Sequence, residues 1–451
     1  MKVIISRHIA LRNSGLLALV IFTLVSAGFS QTTGTNLASQ AALVTELNVN
    51  GLKVLIKRRP NSQTVFAGLY IRGGARSLTG QTAGIESFAL SEATEGSVKF
   101  PRAVLRRELA RMGSVIGSGS NYDYSVISLA STRQSFDRSW DIFTDIVLNP
   151  AFAPADVELN KSKIISALRE NEDEPDGYLH SLIDKTIFAN TPYQNAPEGT
   201  IETIGSLKPT DLIAYHKQRM QTSRLLLVIV GDLDTDVLKK RIVAAFGKLP
   251  RGDYKEYPMP QLDFSKPTLD VTTRSLPTNY IEGVFNAPSS NNPDFYAMRV
   301  ATSLLRDRVF EEVRVKRNLS YAPDAGMTNF AANTGYIYVT AVDANQAVAV
   351  MLNEIKSLKT NPVDEKDISA AAAQFLTTYY IGQETNAAQA RNLAEYELIG
   401  GGWQNSFEFL DYVRQVKPAE IQAVANKYMK NLRFVVVGNP ANVNRSIFLQ
   451  N

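Results

Sequence analysis

Two stretches of this chain repeat one another, and that repeat limits what the chain can fold into. KPTDLIAYHKQRMQTSRLLLVIVGD, beginning at Lys208, is echoed by KPAEIQAVANKYMKNLRFVVVGN, beginning at Lys417. Each opens with Lys-Pro, which suits a first helical turn because proline has no N–H to lose there. An acidic residue follows in that turn and basic residues gather at the end, matching the helix dipole. An apolar strand closed by Gly comes next. Lys417 lies 209 residues after Lys208, about half the chain once its start is set aside. The period predicts two copies of one α+β unit, strands packed on helices.

The start reads as a secretory signal over residues 1–30. Lys2, Arg7 and Arg12 precede the apolar LLALVIFTLVSAG, and small residues follow from Ala27 to Ser30. The apolar run is shorter than the roughly 20 residues that span a bilayer, so the expectation is an exported chain, periplasmic in a Gram-negative source. Loss of this segment takes three positive charges and lowers the formal balance from +4 to +1. The basic pI therefore gives no reason to expect a nucleic-acid partner. With 0 Cys, disulfides and thiolate metal sites are excluded.

Domains are expected at residues 31–250 and 268–451, joined by a polar, proline-rich linker at 251–267. Asn50-Gly51 marks a two-residue hairpin turn near the start. Helices are expected at 102–112, about 135–148, 154–171, 177–188, 209–220, 234–246 and 292–317, and GSVIGSGSNYDYSVISLAST from Gly113 alternates as a strand.

Ala83 to Ser97, AGIESFALSEATEGS, is an amphipathic helix ending at Gly96. In its spacing it resembles the pitrilysin/insulinase family of zinc metallopeptidases, whose mitochondrial-processing-peptidase branch reads G-L-A-H-F-L-E-H-M-x-F-x-G-T at this point. The resemblance extends through the NGL hairpin, DEP at 173–175, TPYQNAPEGT at 191–200 and the closing strands. It implies two homologous domains, each a mainly antiparallel sheet packed with helices, forming half of a clamshell.

By this resemblance the family's His, Glu and His fall on Ser87, Leu90 and Ser91. Its third ligand, a Glu, falls on Ala167, and a companion Glu on Asn160. Two His at i and i+4 flanking a Glu bind zinc and activate water; a hydroxyl and an alkyl group do neither. The expectation is no cofactor in this chain, with zinc in a homologous partner that keeps the motif.

RVKRNLSY supplies the family's other functional pair, Arg314 and Tyr321. There the guanidinium binds a substrate carbonyl and the phenol stabilises an oxyanion. The same run also suits a solvated helical face with i to i+4 ion pairs. Gly117 to Ile127 corresponds to the family's peptide-binding edge strand, giving Gly117, Ser118, Gly119, Ser120 and Asn121 as substrate-binding candidates. Where the family has Asn-Ala this chain has Gly117-Ser118.

Glu170, Glu172, Glu174 and His180 in RENEDEPDGYLH fall on different faces and suit a helix end and a helix start rather than a metal site. GGGW at Gly400 lacks the Lys-Ser/Thr of a phosphate loop, and no G-x-S-x-G frame surrounds a serine. The resemblance implies a non-catalytic subunit of a heterodimeric metalloendopeptidase that binds peptide and lends Arg314 and Tyr321 to the partner. A peptide-binding scaffold with no proteolytic role is one alternative, and a lone metallopeptidase with unorthodox ligands another.

Overall fold

A computed structural model describes residues 40–450 except Asp263. The expected signal segment lies outside the described residues. The first sheet is built from β1 (Val44–Val49), β2 (Leu52–Arg58), β3 (Thr64–Arg72), β4 (Val115–Ser120), β5 (Tyr124–Thr132) and β6 (Leu225–Gly231). Their order is β1-β2-β6-β3-β5-β4. Only β2 and β6 run parallel within it. Asn50 and Gly51 turn the first hairpin at φ 52° and 93°, the left-handed values such a turn needs. The helices that matter for the site here are α1 (Ile85–Ala93), α2 (Phe136–Leu148), α3 (Pro154–Asp173), α4 (Pro175–Ile187) and α5 (Pro209–Arg219).

The second sheet contains β7 (Thr268–Thr273), β8 (Asn279–Asn286), β9 (Asp324–Met327), β10 (Thr334–Ala341) and β11 (Arg433–Gly438), in the order β7-β11-β8-β10-β9. This is the first sheet's order without β1, again with a single parallel pair, β7 and β11. The same half of the chain contains α6 (Phe295–Val309), α7 (Glu365–Gly382), α8 (Asn386–Ile399) and α9 (Pro418–Tyr428). The repeat is thus α5-β6 and α9-β11. Both helices start the same way: the N–H of Lys208 donates to Asp211 Oδ2 at 2.8 Å, and that of Lys417 to Glu420 Oε2 at 2.7 Å. In each case a first-turn carboxylate satisfies a backbone donor at the helix start. The strands that follow are buried, β6 along its whole length.

Each sheet is covered on one face by a helix from the other repeat. Leu179 and Ile183 of α4 pack with Val284, Val435 and Val437 of the second sheet. Ala390, Leu393 and Ala394 of α8 pack on Leu55, Tyr70, Leu226 and Val228 of the first. Polar contacts lock the exchange. Arg274 donates to the carbonyls of Glu172 and Asp173 at the end of α3 (2.6 and 3.2 Å), and Asn386 Nδ2 donates to the carbonyl of Thr64 at 2.6 Å.

Among its described residues the expected linker forms no helix or strand, but it is fastened down. Leu262 and Phe264 are buried, and the Arg224 guanidinium lies 4.0 Å from the centre of the Tyr254 ring.

Candidate functional site

Helix α1 begins at Gly84, whose φ of 83° is left-handed. A Cβ there would come within 2.7 Å of the Glu198 carbonyl oxygen and 2.8 Å of Gly199 Cα, so only glycine lets the helix start against that loop. Phe88, Ala89 and Leu90 are buried in the core, while Ser87 and Ser91 are half-buried. Helix α3 lies against α1: Asn160 Nδ2 donates to Ser91 Oγ and to Glu92 Oε2, both at 3.2 Å. Burial pushes the Glu92 carboxyl up to about 7, with Asn160 opposing. Glu86 is buried and accepts hydrogen bonds from Ser125 and Tyr215. Ala167 lies exposed about two turns beyond Asn160.

The two helices are therefore held together where the sequence resemblance would put a metal, but Ser87, Leu90, Ser91 and Ala167 offer two hydroxyls and two hydrocarbon groups. These residues do not fit zinc, which takes imidazole, thiolate or carboxylate ligands. Among the described residues no three His, Asp or Glu side chains are gathered as a metal site. His216 is buried with Nε2 2.8 Å from the Val147 carbonyl, a core role.

Helix α6 runs on as a π-helical turn, Phe310–Lys316, that carries Arg314. Lys316 pairs with Glu312 at 2.6 Å, and Arg317 pairs with the same carboxylate. The ion pairs expected of this charged run thus pass Arg314 by. Its guanidinium instead stacks on Tyr321, 4.4 Å from the ring centre, and donates to Asn318 Oδ1 at 3.4 Å. Tyr321 is 79% exposed. The pair is assembled at the surface, without an ion-pair partner among the described residues.

The single strand expected from Gly117 to Ile127 is corrected to a hairpin, β4 and β5. Asn121 Oδ1 accepts the N–H groups of Asp123 and Tyr124, both at 2.8 Å, and this Asx turn ends β4. Strand β4 remains an edge, paired only with β5. A Cβ at Gly117 would meet nothing within 4 Å, and one at Gly119 only Val126 Cγ1 at 3.8 Å. Packing does not require these glycines. They leave the backbone of an unpaired edge bare, as close approach of another main chain needs.

Ser120 and Asn121, at the end of β4, also line a cavity of 630 Å³ between the repeats. Its titratable lining is Asp176, His180 and Asp184 of α4, Glu198, Glu282 of β8 and Asp324 of β9. Burial, then Asp184, Asp324 and Asp176, push the Glu282 carboxyl up to about 8. Its nearest basic group is His180 Nδ1 at 3.8 Å. Burial likewise raises Asp184 to about 6. Among the described residues no lysine or arginine lines the cavity, so it suits a cationic side chain. Glu170, Glu172 and Glu174 stay at the surface. His180, weighed in the sequence only together with those three glutamates, lines the cavity with Asp176 and Asp184, two residues not singled out there, although the i, i+4 spacing along one helix face could have revealed them.

Residues 53–201 match the model of the insulinase family, peptidase M16, and residues 206–375 that of the peptidase M16 inactive domain. Among similar proteins, an uncharacterized zinc protease of Rickettsia felis is 19% identical over 87% of this chain and 96% of its own. A non-peptidase homolog of Helicobacter pylori is 22% identical over 90% and 96%. A protease structure from Helicobacter pylori superposes with a TM-score of 0.81 at 15% identity, over 88% of this chain and 99% of that one. The periplasmic protease PqqL of Escherichia coli gives 0.74 at 14%, covering 91% of this chain but 50% of PqqL. With these two models matched in succession over residues 53–375, the chain belongs to the insulinase family, peptidase M16, and the inactive-domain match and the non-peptidase homolog fit a non-catalytic member of it.

Proposed function

We propose that this chain is the non-catalytic subunit of a heterodimeric metalloendopeptidase. It binds an extended peptide along β4 and presents Arg314 and Tyr321 to the active site of a homologous partner that carries the zinc. The observation that carries this reading is the contrast between two places in one fold: the metal positions hold no ligand, while the Arg314–Tyr321 pair stands assembled and exposed. In the shared site the guanidinium binds the carbonyl oxygen of the scissile peptide and the phenol donates to that oxygen as it gains charge. Zinc and its hydroxide belong to the partner. The acid-lined cavity at the end of β4 receives a basic side chain of the bound peptide. The need for a second half is supported by the coverage of PqqL, of which this chain spans one half. The N-terminal sequence supports export, and no helix among the described residues is long and apolar enough to cross a membrane.

A scaffold reading, in which the fold binds peptide or partner with no proteolytic role, is favoured by the relative named a non-peptidase homolog.

Peptide addition is tested by hydrogen exchange of the chain with and without a Lys-containing extended peptide. The β4 amides facing away from β5 should gain protection of roughly 10-fold or more at saturating peptide. Unchanged exchange along β4 while the peptide binds elsewhere would contradict it.

A further inference from the structure

A second cavity, of 310 Å³, lies in the second repeat among α6, α7 and α8. By order along the chain, α6 and α7 correspond to α1 and α3, the helices that flank the emptied metal positions. The walls here are aromatic, with Phe375, Tyr379 and Tyr396 prominent, and two guanidiniums, Arg299 and Arg391, line it.

These two arginines differ from their neighbours. Lys53 and Arg72 share Glu397 at 2.8 and 3.6 Å, and Arg76 pairs with Asp123 at 3.4 Å. Among the described residues neither Arg299 nor Arg391 has a carboxylate within 4.0 Å or a hydrogen bond from its guanidinium. Arg299 is half-buried on the cavity wall, 6.0 Å from the centre of the Phe295 ring, and Glu395 acts on both guanidiniums from beyond ion-pair distance. Glu395 is the one carboxyl in the lining, leaving a surplus of positive charge.

A planar fork with unused donors fits a carboxylate better than any neutral group, and the aromatic walls ask for an apolar body beside it. The volume stands at the small end of ligand sites, enough for a residue or two. Arg391 has a further neighbour: it also lines a 350 Å³ cavity with Gly119, Ser120 and Asn121, the end of the edge strand. A chain leaving β4 on this side therefore reaches Arg391 first and the aromatic cavity next.

We infer that Arg299 and Arg391 receive the C-terminal carboxylate of a peptide whose preceding residues add to β4, with its last, apolar side chain against Phe375 and Tyr379. This rests on the peptide-binding reading above and narrows it: the chain selects peptides by a free, apolar C-terminus.

The test is a binding titration of the full chain with one extended peptide ending in Phe, prepared as the free acid and as the C-terminal amide. Loss of charge-assisted hydrogen bonds predicts that the amide binds roughly 10-fold or more weakly. The pair of substitutions Arg299→Gln and Arg391→Gln should bind acid and amide alike, at the level of the wild-type amide, while β4 stays protected from exchange. If those variants fail to fold, the acid–amide comparison on wild type still decides. Equal binding of acid and amide by wild type, with β4 protected, overturns the C-terminal assignment and leaves the edge-strand reading standing. Binding of neither form overturns both. Equal affinity for N-acetylphenylalanine and the whole peptide assigns the cavity to small acids and overturns the peptide assignment.

Discussion

Glu282 is a carboxyl on a buried strand with acids around it and one imidazole beside it. Asp176 and Asp184 face it from α4, Asp324 from β9, and His180, largely exposed, lies 3.8 Å away. Its carboxyl is raised to about 8, against roughly 4.3 in an unfolded chain. Between those values the folded state holds a proton that the unfolded state has released. Stability from this group is therefore full below the unfolded pKa and is lost as pH rises through about 8. Urea unfolding should show wild type weakening from pH 5 to 8. Glu282→Gln should flatten that slope, by on the order of 1–3 kcal/mol at the alkaline end. Parallel pH profiles for the two proteins would contradict this assignment. Nothing in the sequence around Glu282 marks it, because the acids that raise its pKa come from other elements. Arg314 and Tyr321 were singled out through the family resemblance, since their own chemistry equally suits a solvated helical face, and their freedom from ion pairs was not legible: it depends on Glu312 taking both Lys316 and Arg317.

At the scale of elements, the exchanged helices carry the fold's least local contacts. Leu393 of α8 and Leu179 of α4 are buried at 2% and 0% exposure, each on the other repeat's sheet. Truncating either to Ala removes buried methyl groups and leaves a cavity, at a cost of about 2–5 kcal/mol. Both variants should lose a similar amount in chemical denaturation. A loss below about 0.5 kcal/mol for Leu393→Ala would mean that α8 is not needed on the first sheet. The repeated helices were legible because proline, first-turn acid and apolar stripe all agree at Lys208 and Lys417. The β4–β5 hairpin was not, since continuous alternation hides a turn made by the Asn121 side chain. Nor could periodicity tell which sheet α4 would cover, because an apolar stripe names no partner.

For the whole molecule, the exchange makes the repeats interdependent although each has its own sheet. Heat or denaturant should unfold the chain in one transition reported alike by Trp140, in the first repeat, and Trp403, which follows α8 and donates from Nε1 to Glu46 Oε2 at 3.0 Å. Two separated transitions would contradict the interlock. A molecule fixed in this way carries the edge strand, the acid-lined cavity and the Arg314–Tyr321 pair on one interlocked body. The most direct test of this account is hydrolysis of an extended peptide by the chain, by a homologous subunit bearing the zinc motif, and by their mixture, with wild type, Arg314→Ala and Tyr321→Phe compared. The account predicts cutting by the mixture alone, a loss of roughly 100-fold or more in kcat with either substitution, and unchanged association of the two subunits. A mixture that stays inert, or that cuts equally well with both residues replaced, would contradict it.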